Sequence, residues 1–281
     1  MTKEEKKQLM ATACKVRMGV IKGTHAAKAG HPGGSLSAAD LFTYLYCKVL
    51  NVAPKTPKWE GRDRCVLSKG HTAPGLYAAL AQRGFFPEED LLTLRQIGSH
   101  LQGHPNMNLT PGVDMSTGSL GQGVSAAAGM ALAAKYQGKS CRVYTLLGDG
   151  EIQEGQVWEA FMFAHHYKLD NLCVIIDNNG LQIDGAVDKV MSPYPIPDKL
   201  KAFGFAVKEI DGHDFDQMEA AFAEAKATKG VPFAIVMKTT KGKGVSYMEN
   251  QAGWHGKAPN DEEYKIAMDE LTAQLAEVEA M

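Results

Sequence analysis

The sequence predicts an α/β fold, a parallel sheet flanked by helices. Two short apolar runs, Arg142 to Leu147 and Asn171 to Ile176, each close on Gly, Asp or Asn, and a helical pattern from Gln156 to Tyr167 separates them. A third run, Phe233 to Met237, follows a helical stretch from Phe215 to Thr228, so buried strands and helices alternate through the second half. With 281 residues, 44% hydrophobic and 22% charged, the chain can fill a sizeable core.

The first helix is predicted from Glu4 to Lys28, where Leu9, Ala13, Val16, Val20 and Ala27 recur near one face. Gly30, His31 and Pro32 break it. A second helix is expected from Ser37 to Val49, then a Pro-rich charged linker from Asn51 to Arg64. The segment that follows, CVLSKGHTAPGLYAAL, reads as a short strand turning into a helix. Phe86 to Thr117 is irregular, with Pro87, Pro105 and Pro111 among polar residues, and loops of that length tend to be functional or disordered. Gln122 to Tyr136 is an Ala- and Gly-rich helix whose small side chains let another backbone approach. Asp261 to Met281 is a charged amphipathic helix. No repeat or low-complexity tract interrupts this order, so one domain spanning residues 1–281 is expected.

A formal charge of −2 excludes the basic excess that phosphate-backbone binding needs, so no nucleic-acid partner is expected. No apolar stretch has the length of a membrane span, and Met1 to Met10 lacks the apolar core of a signal peptide. Five widely spaced cysteines, Cys14, Cys47, Cys65, Cys141 and Cys173, form no C-x-x-C pair and suggest neither a disulfide framework nor a zinc site. A cytoplasmic location fits best.

Ligands of parallel α/β sheets collect outside the carboxyl ends of the strands. There the sequence places Gly148-Asp149-Gly150 and Asp177-Asn178-Asn179-Gly180. Gly148 and Gly150 let the backbone come close to a phosphate, and the helix that follows would turn its N-terminal amides to the same place. A carboxylate, an amide oxygen and a backbone carbonyl are hard oxygen ligands for magnesium, whose shell diphosphate oxygens and water would complete. Alone, GDG is often only a tight turn; paired with NN after the next strand, it resembles the thiamine diphosphate signature. That resemblance makes Asp149, Asn179 and the backbone carbonyl of Leu181 the expected ligands of Mg2+, or of another divalent cation such as Ca2+ or Mn2+. Asp177 and Asp184 read as turn caps. Two decoys fail: Gly121 to Ala126 fits G-x-G-x-x-A but follows no strand, and Gly138-Lys139-Ser140 lacks a P-loop's first glycine at Ala133.

Four of nine histidines stand where rigid Gly or Pro settings can aim an imidazole: His31, His71, His104 and His255. Such side chains can bond a phosphate, hold a hydroxyl or move a proton near neutral pH, and all four are candidate catalytic residues. His25, His100, His165, His166 and His213 read as ordinary. Taken in order, Gly30 to Ser35, Ser68 to Leu76, Gly103 to Pro105, Ser116 to Gly123, Gly148 to Gly155, Asp177 to Gly185 and Trp254 to Pro259 resemble the motifs of the N-terminal half of transketolases. The resemblance covers nearly the whole chain. It implies that His71 and His255 contact the cofactor diphosphate and that His31 and His104 contact substrate hydroxyls. It also implies that Gly118 and Leu120 meet the cofactor rings, and that Glu154 with Glu159 joins a carboxylate network between paired active sites. The pattern departs from the family at Ser119, where many full-length members carry proline, and at Gly34-Ser35.

In that family the glutamate that activates the cofactor, the pocket for its pyrimidine ring and most of the sugar-phosphate grip lie in a following pyrimidine-binding domain. The chain therefore looks like the first subunit of a split transketolase. Its expected partner is a C-terminal subunit carrying that domain, in a heterotetramer of two chains of each kind acting on sugars or sugar phosphates. Two other classes share part of the pattern: the α chain of a 2-oxo acid dehydrogenase, and a non-catalytic thiamine diphosphate-binding protein. HPGG, SKGH and WHGKAP speak against the first.

Overall fold

A computed structural model describes residues 1–281. The helices are α1 (Lys3–Ala27), α2 (Pro32–Ser37), α3 (Ala39–Tyr44), α4 (Ala73–Arg83), α5 (Gln122–Tyr136), α6 (Gly155–His166), α7 (Val187–Val190), α8 (Ile196–Ala202), α9 (Phe215–Ala227) and α10 (Asp261–Ala280). The strands are β1 (Arg64–Leu67), β2 (Val143–Gly148), β3 (Leu172–Asn178), β4 (Leu181–Gln182), β5 (Gly185–Ala186), β6 (Ala206–Asp211) and β7 (Phe233–Lys238). Five strands form one parallel sheet in the order β1-β2-β3-β7-β6, while β4 and β5 make a small antiparallel hairpin just after Asn179.

Both faces of the sheet are covered, and the side-chain period of two divides the apolar runs between them. Tyr144, Leu146, Cys173, Ile175, Ile235 and Met237 face the core shared with α1, α3, α4 and α9. Val143, Leu147, Val174, Ile176, Ala234 and Val236 face α5, α6 and α8. This explains why β2, β3 and β7 read as nearly continuous apolar runs. β6, which the sequence pattern does not predict, is an edge strand with only Ile210 buried, too polar to stand out.

Thr2 and Glu5 start α1 with a reciprocal capping box, and Asn260 with Glu263 does the same for α10. The single helix expected from Ser37 to Val49 is instead divided. Pro32 opens α2 at its first turn, where its missing N–H costs nothing. Ser35 and Ser37 then donate back to the carbonyls of His31 and Gly34, Ala38 leaves helical geometry, and α3 ends in a π-helical turn over Leu45–Val49. The segment Pro32–Tyr44 is buried throughout, so packing rather than propensity sets its path. Within the irregular stretch from Phe86 to Thr117, one 3-10 helix forms at Glu88–Thr93. All five cysteines are free thiols, and no helix is long and apolar enough to cross a membrane.

Candidate active site

Four neighbouring strands deliver polar residues to one rim of the sheet. β1 leads into Ser68 and Lys69, β2 into Asp149 and Glu151, β3 ends in Asp177 and Asn178, and β7 leads into Thr239 and Lys241. The register makes this a single cluster, since Gly148 pairs with Asp177 and Asn178 with Lys238. A cavity of about 340 Å3 opens above it, lined among others by His71, Leu120, Asp149, Asn179, Leu181, Lys241 and His255. Gly148, Gly150 and Glu154 line it too, whereas Glu159 stands exposed on α6 outside the lining.

The floor is an ionic network. Asp177 is 1% exposed and accepts from Lys69 Nζ, Ser37 Oγ and Thr239 Oγ1, with Asn179 Nδ2 at 3.3 Å. Burial alone would raise its pKa, but Lys69 and the hydroxyls hold it below the usual range. Asp177 is thus the hub of the floor, not the turn cap that its sequence position suggested. Glu151 accepts from Ser68 Oγ, Gly121 N and Gly148 N, so it ties α5 and the two glycine loops together. The first turn of α5 presses directly on the end of β1: a Cβ on Gly123 would stand 2.6 Å from Ser68 Cα, which is the close backbone approach that its small residues predicted.

The helix after GDG lies within a residue of its expected bounds but does not follow the loop directly. A 3-10 turn at Glu151–Gln153 intervenes, and α6 begins only at Gly155. Side chains bring further donors to the same rim. Lys241 is 2% exposed and has no carboxylate within ion-pair distance; its Nζ meets the Leu181 carbonyl at 3.2 Å and His255 Nδ1 at 3.0 Å. Burial, reinforced by Lys69, lowers its pKa to about 8. Asp149 and Asp177 act on this ammonium without pairing with it, and a buried ammonium with no paired counter-charge is costly, so an anion entering the cavity would be favoured. Sequence pattern alone singles out neither Lys69 nor Lys241; each belongs to a strand-end segment, which is the available signal.

The four singled-out histidines converge. Ring centroids of His31 lie 5.3 Å from His71, 5.5 Å from His255 and 6.3 Å from His104, and His71 stacks on His255 at 4.9 Å. Burial lowers His31 to about 4 and His255 to about 3, and burial with Lys69 lowers His71 well below its ordinary value. His104 is lowered by burial and Arg95. All four are therefore neutral near pH 7, each able to donate from one nitrogen and accept at the other. His31 Nδ1 is buried without a partner, which leaves a polar atom for a ligand to satisfy. Gly118 sits beside His104: a Cβ there would be 3.3 Å from its ring.

Three expected cation ligands lie around the same cavity. Asp149 oxygens accept from Gly150 N and Gly180 N, Asn179 Oδ1 accepts from Leu181 N, and the Leu181 carbonyl faces the Lys241 ammonium. Each oxygen keeps a free lone pair. No group of three His, Cys, Asp or Glu side chains suits a metal, so a cation here would rest on one carboxylate and two neutral oxygens. That donor set fits a hard ion whose remaining ligands come from a diphosphate.

Known proteins share this arrangement of sequence and fold. The family model described as transketolase, thiamine diphosphate binding domain, matches residues 7–277. The 6-deoxy-6-sulfo-D-fructose transketolase subunit SqwG of Clostridium sp. strain MSTE9 is 46% identical over 247 residues, covering 88% of this chain and 90% of that protein. An apulose-4-phosphate transketolase subunit of Phocaeicola vulgatus is 42% identical over 265 residues, covering 94% of each. Among solved structures, transketolase from Campylobacter jejuni superposes with a TM-score of 0.88 at 34% identity, over 96% of this chain but 45% of that one. The chain spans less than half the length of that solved transketolase. The chain belongs to the transketolase family of transferases and carries its thiamine diphosphate-binding domain.

Proposed function

We propose that this chain is the N-terminal, diphosphate-binding subunit of a two-chain transketolase, moving a two-carbon ketol unit from a ketose or ketose phosphate to an aldose or aldose phosphate. The observation that carries the reading is the convergence of four neutral histidines over a floor holding an unpaired, buried Lys241. The near-complete overlap with two relatives named as subunits supports the two-chain form.

In this reading Asp149, Asn179 and the Leu181 carbonyl hold Mg2+, or Ca2+ or Mn2+ in its place. Lys241, His71 and His255 donate to the diphosphate, while Gly148 and Gly150 keep side chains out of its way. Gly118 and Leu120 border the cofactor rings. Bound thiamine diphosphate supplies the carbon nucleophile that accepts the ketol unit. His31 and His104, neutral and at the mouth, bond sugar hydroxyls and steer the protons that these exchange. The names of the two relatives specify a sulfonated fructose and a sugar phosphate, so the substrate class proposed here is a sugar or sugar phosphate, without a choice between them.

The partner would be a C-terminal subunit with the pyrimidine-binding domain. Glu154 and Glu159, both exposed near the start of α6, are suited to meet a second copy of this chain, and a tetramer of two chains of each kind closes both sites by one two-fold axis. A single domain and a cytoplasmic setting belong to the same proposal; the free cysteines agree with a reducing compartment.

The test is a coupled ketol-transfer assay on this chain alone, with saturating thiamine diphosphate and magnesium, and then with its partner. Activity is expected only in the mixture, where cofactor binding should also be tighter because each component stabilises the other's bound form. Steady turnover by the chain alone would overturn the two-chain reading.

A further inference from the structure

Behind the wall of the cavity that carries Lys241 lies a second polar cluster, drawn from three distant parts of the chain. Arg17 is on α1, Asp40 on α3, and His213 follows β6. Their side chains are 7%, 8% and 16% exposed. Asp40 Oδ2 accepts from Arg17 Nη2 at 2.5 Å and lies 2.7 Å from His213 Nδ1. His213 Nε2 stands 2.9 Å from the backbone nitrogen of Thr240. A peptide N–H can only donate, so Nε2 is the acceptor; the ring's proton is on Nδ1 and goes to Asp40. Arg17 reaches the same loop at a second point, donating from Nε to the Lys243 carbonyl at 3.1 Å.

The two points of attachment, Thr240 N and Lys243 O, bracket Lys241. Backbone bonds also hold this turn, among them Gly242 N to Gly33 O at 2.9 Å and Asn250 N to Lys241 O at 2.9 Å, and at its far end Gly244 donates to Glu249 Oε1 and accepts from Gln274 Nε2. The Lys241 ammonium hydrogen-bonds only the Leu181 carbonyl and His255, and no carboxylate lies within ion-pair distance of it. Its position over the floor therefore depends on where the backbone is held.

We propose that Arg17, Asp40 and His213 form a buried positioning network that clasps the backbone on both sides of Lys241 and so sets the ammonium for an incoming diphosphate. The inference rests on the reading above, in which Lys241 meets that diphosphate. None of the three touches the cavity; they act through the loop. Asp40 has two tasks, fixing the His213 tautomer and neutralising Arg17, and its pKa reflects them: burial would raise it, but Arg17 and His213 hold it below the usual range.

The test uses the full chain. His213→Ala removes the acceptor for Thr240, whereas His213→Gln keeps an amide oxygen able to accept that N–H. Amide hydrogen exchange over residues 239–244 is expected to accelerate about tenfold or more in His213→Ala, with strands β2 and β3 unchanged, and to return towards the parent rate in His213→Gln. Affinity for magnesium with thiamine diphosphate, measured by calorimetry, should fall about tenfold in His213→Ala and change less than about twofold when the same substitution is made in a Lys241→Met background. Equal losses in both backgrounds, or no change in exchange at 239–244, would overturn the network. If exchange changes as expected but Lys241→Met itself leaves cofactor affinity intact, the inference falls because Lys241 does not meet the diphosphate, and the fault lies in the proposed function.

Discussion

At the floor of the cavity Asp149, Lys69 and Lys241 are each 2% exposed and Asp177 is 1% exposed, every one of them fixed by bonds to neighbouring strand ends. At the mouth, His104 is exposed and His31 half-buried with one ring nitrogen unpartnered. The floor sits on β1, β2, β3 and β7, whose parallel pairing leaves little freedom. The mouth sits on the α1–α2 junction and on the long loop before α5, where the Tyr77 hydroxyl lies 2.9 Å from the Gln102 carbonyl and 3.2 Å from that of His104. A diphosphate and its cation need fixed charges, whose preorganisation must be completed during folding. Sugar hydroxyls need donors and acceptors that can adjust. On the proposed reading, one half of the site is finished by this chain alone, and the other is left for cofactor, sugar and a second polypeptide to complete.

The comparison breaks most sharply at Asp149. Replacing it by alanine removes the only carboxylate among the three expected cation ligands, so magnesium-dependent binding of thiamine diphosphate should fall well beyond the roughly 10–100-fold that loss of an outer-shell partner costs. The fold should survive, because what is lost locally is two backbone hydrogen bonds, to Gly150 and Gly180, worth about 1–3 kcal/mol each at a charged acceptor. Calorimetry giving the parent affinity would remove the cation from the floor.

Stability sharpens the same contrast. Asp177→Ala leaves the buried Lys69 ammonium without its counter-charge and takes the acceptor from the Thr239 hydroxyl, a change expected to cost about 3–5 kcal/mol in urea unfolding. His104→Ala, at an exposed loop position, should stay within about 0.5 kcal/mol. Similar losses for the two would mean that the floor is no more rigid than the mouth.

The sequence is most legible where both faces of an element are covered or where an end is capped. β2, β3, β7, α5 and α9 fall within a residue or two of their expected bounds, because continuous apolar runs and helical periods survive in one dimension. β6 escapes, since an edge strand reading Ala-Val-Lys-Glu-Ile-Asp keeps half its side chains in water. At the site, the motifs locate His31, His71, His104, His255, Asp149 and Asn179, and the structure gathers them. Lys69 and Asp177 are illegible as a pair for a different reason. They stand 108 positions apart, and nothing local in either segment announces the other; only the register of β1, β2 and β3 brings them together. His213 reads as ordinary because its role depends on Asp40 and Thr240, which are likewise far from it in sequence.

The smallest expected effect separates two histidines that look alike in sequence, each next to a glycine. His255 stacks on His71 and lies 3.0 Å from Lys241 Nζ, so it belongs to the floor. His104 makes no contact with Lys241; its nearest ring neighbour in the cluster is His31, at 6.3 Å, and it sits against Gly118 at the mouth. His255→Ala should therefore weaken thiamine diphosphate binding by about tenfold as well as slow transfer, since a donor to the diphosphate and a neighbour of the ammonium go together. His104→Ala should leave cofactor affinity within about twofold while lowering kcat/KM for ketol transfer by about tenfold or more, the pattern of a group that meets the sugar only. Both measurements belong on the mixture with the partner chain, because kcat/KM has meaning only where transfer occurs. Equal cofactor losses in the two variants would place His104 on the floor, and with it the division between a preformed half and an adjustable half would fail.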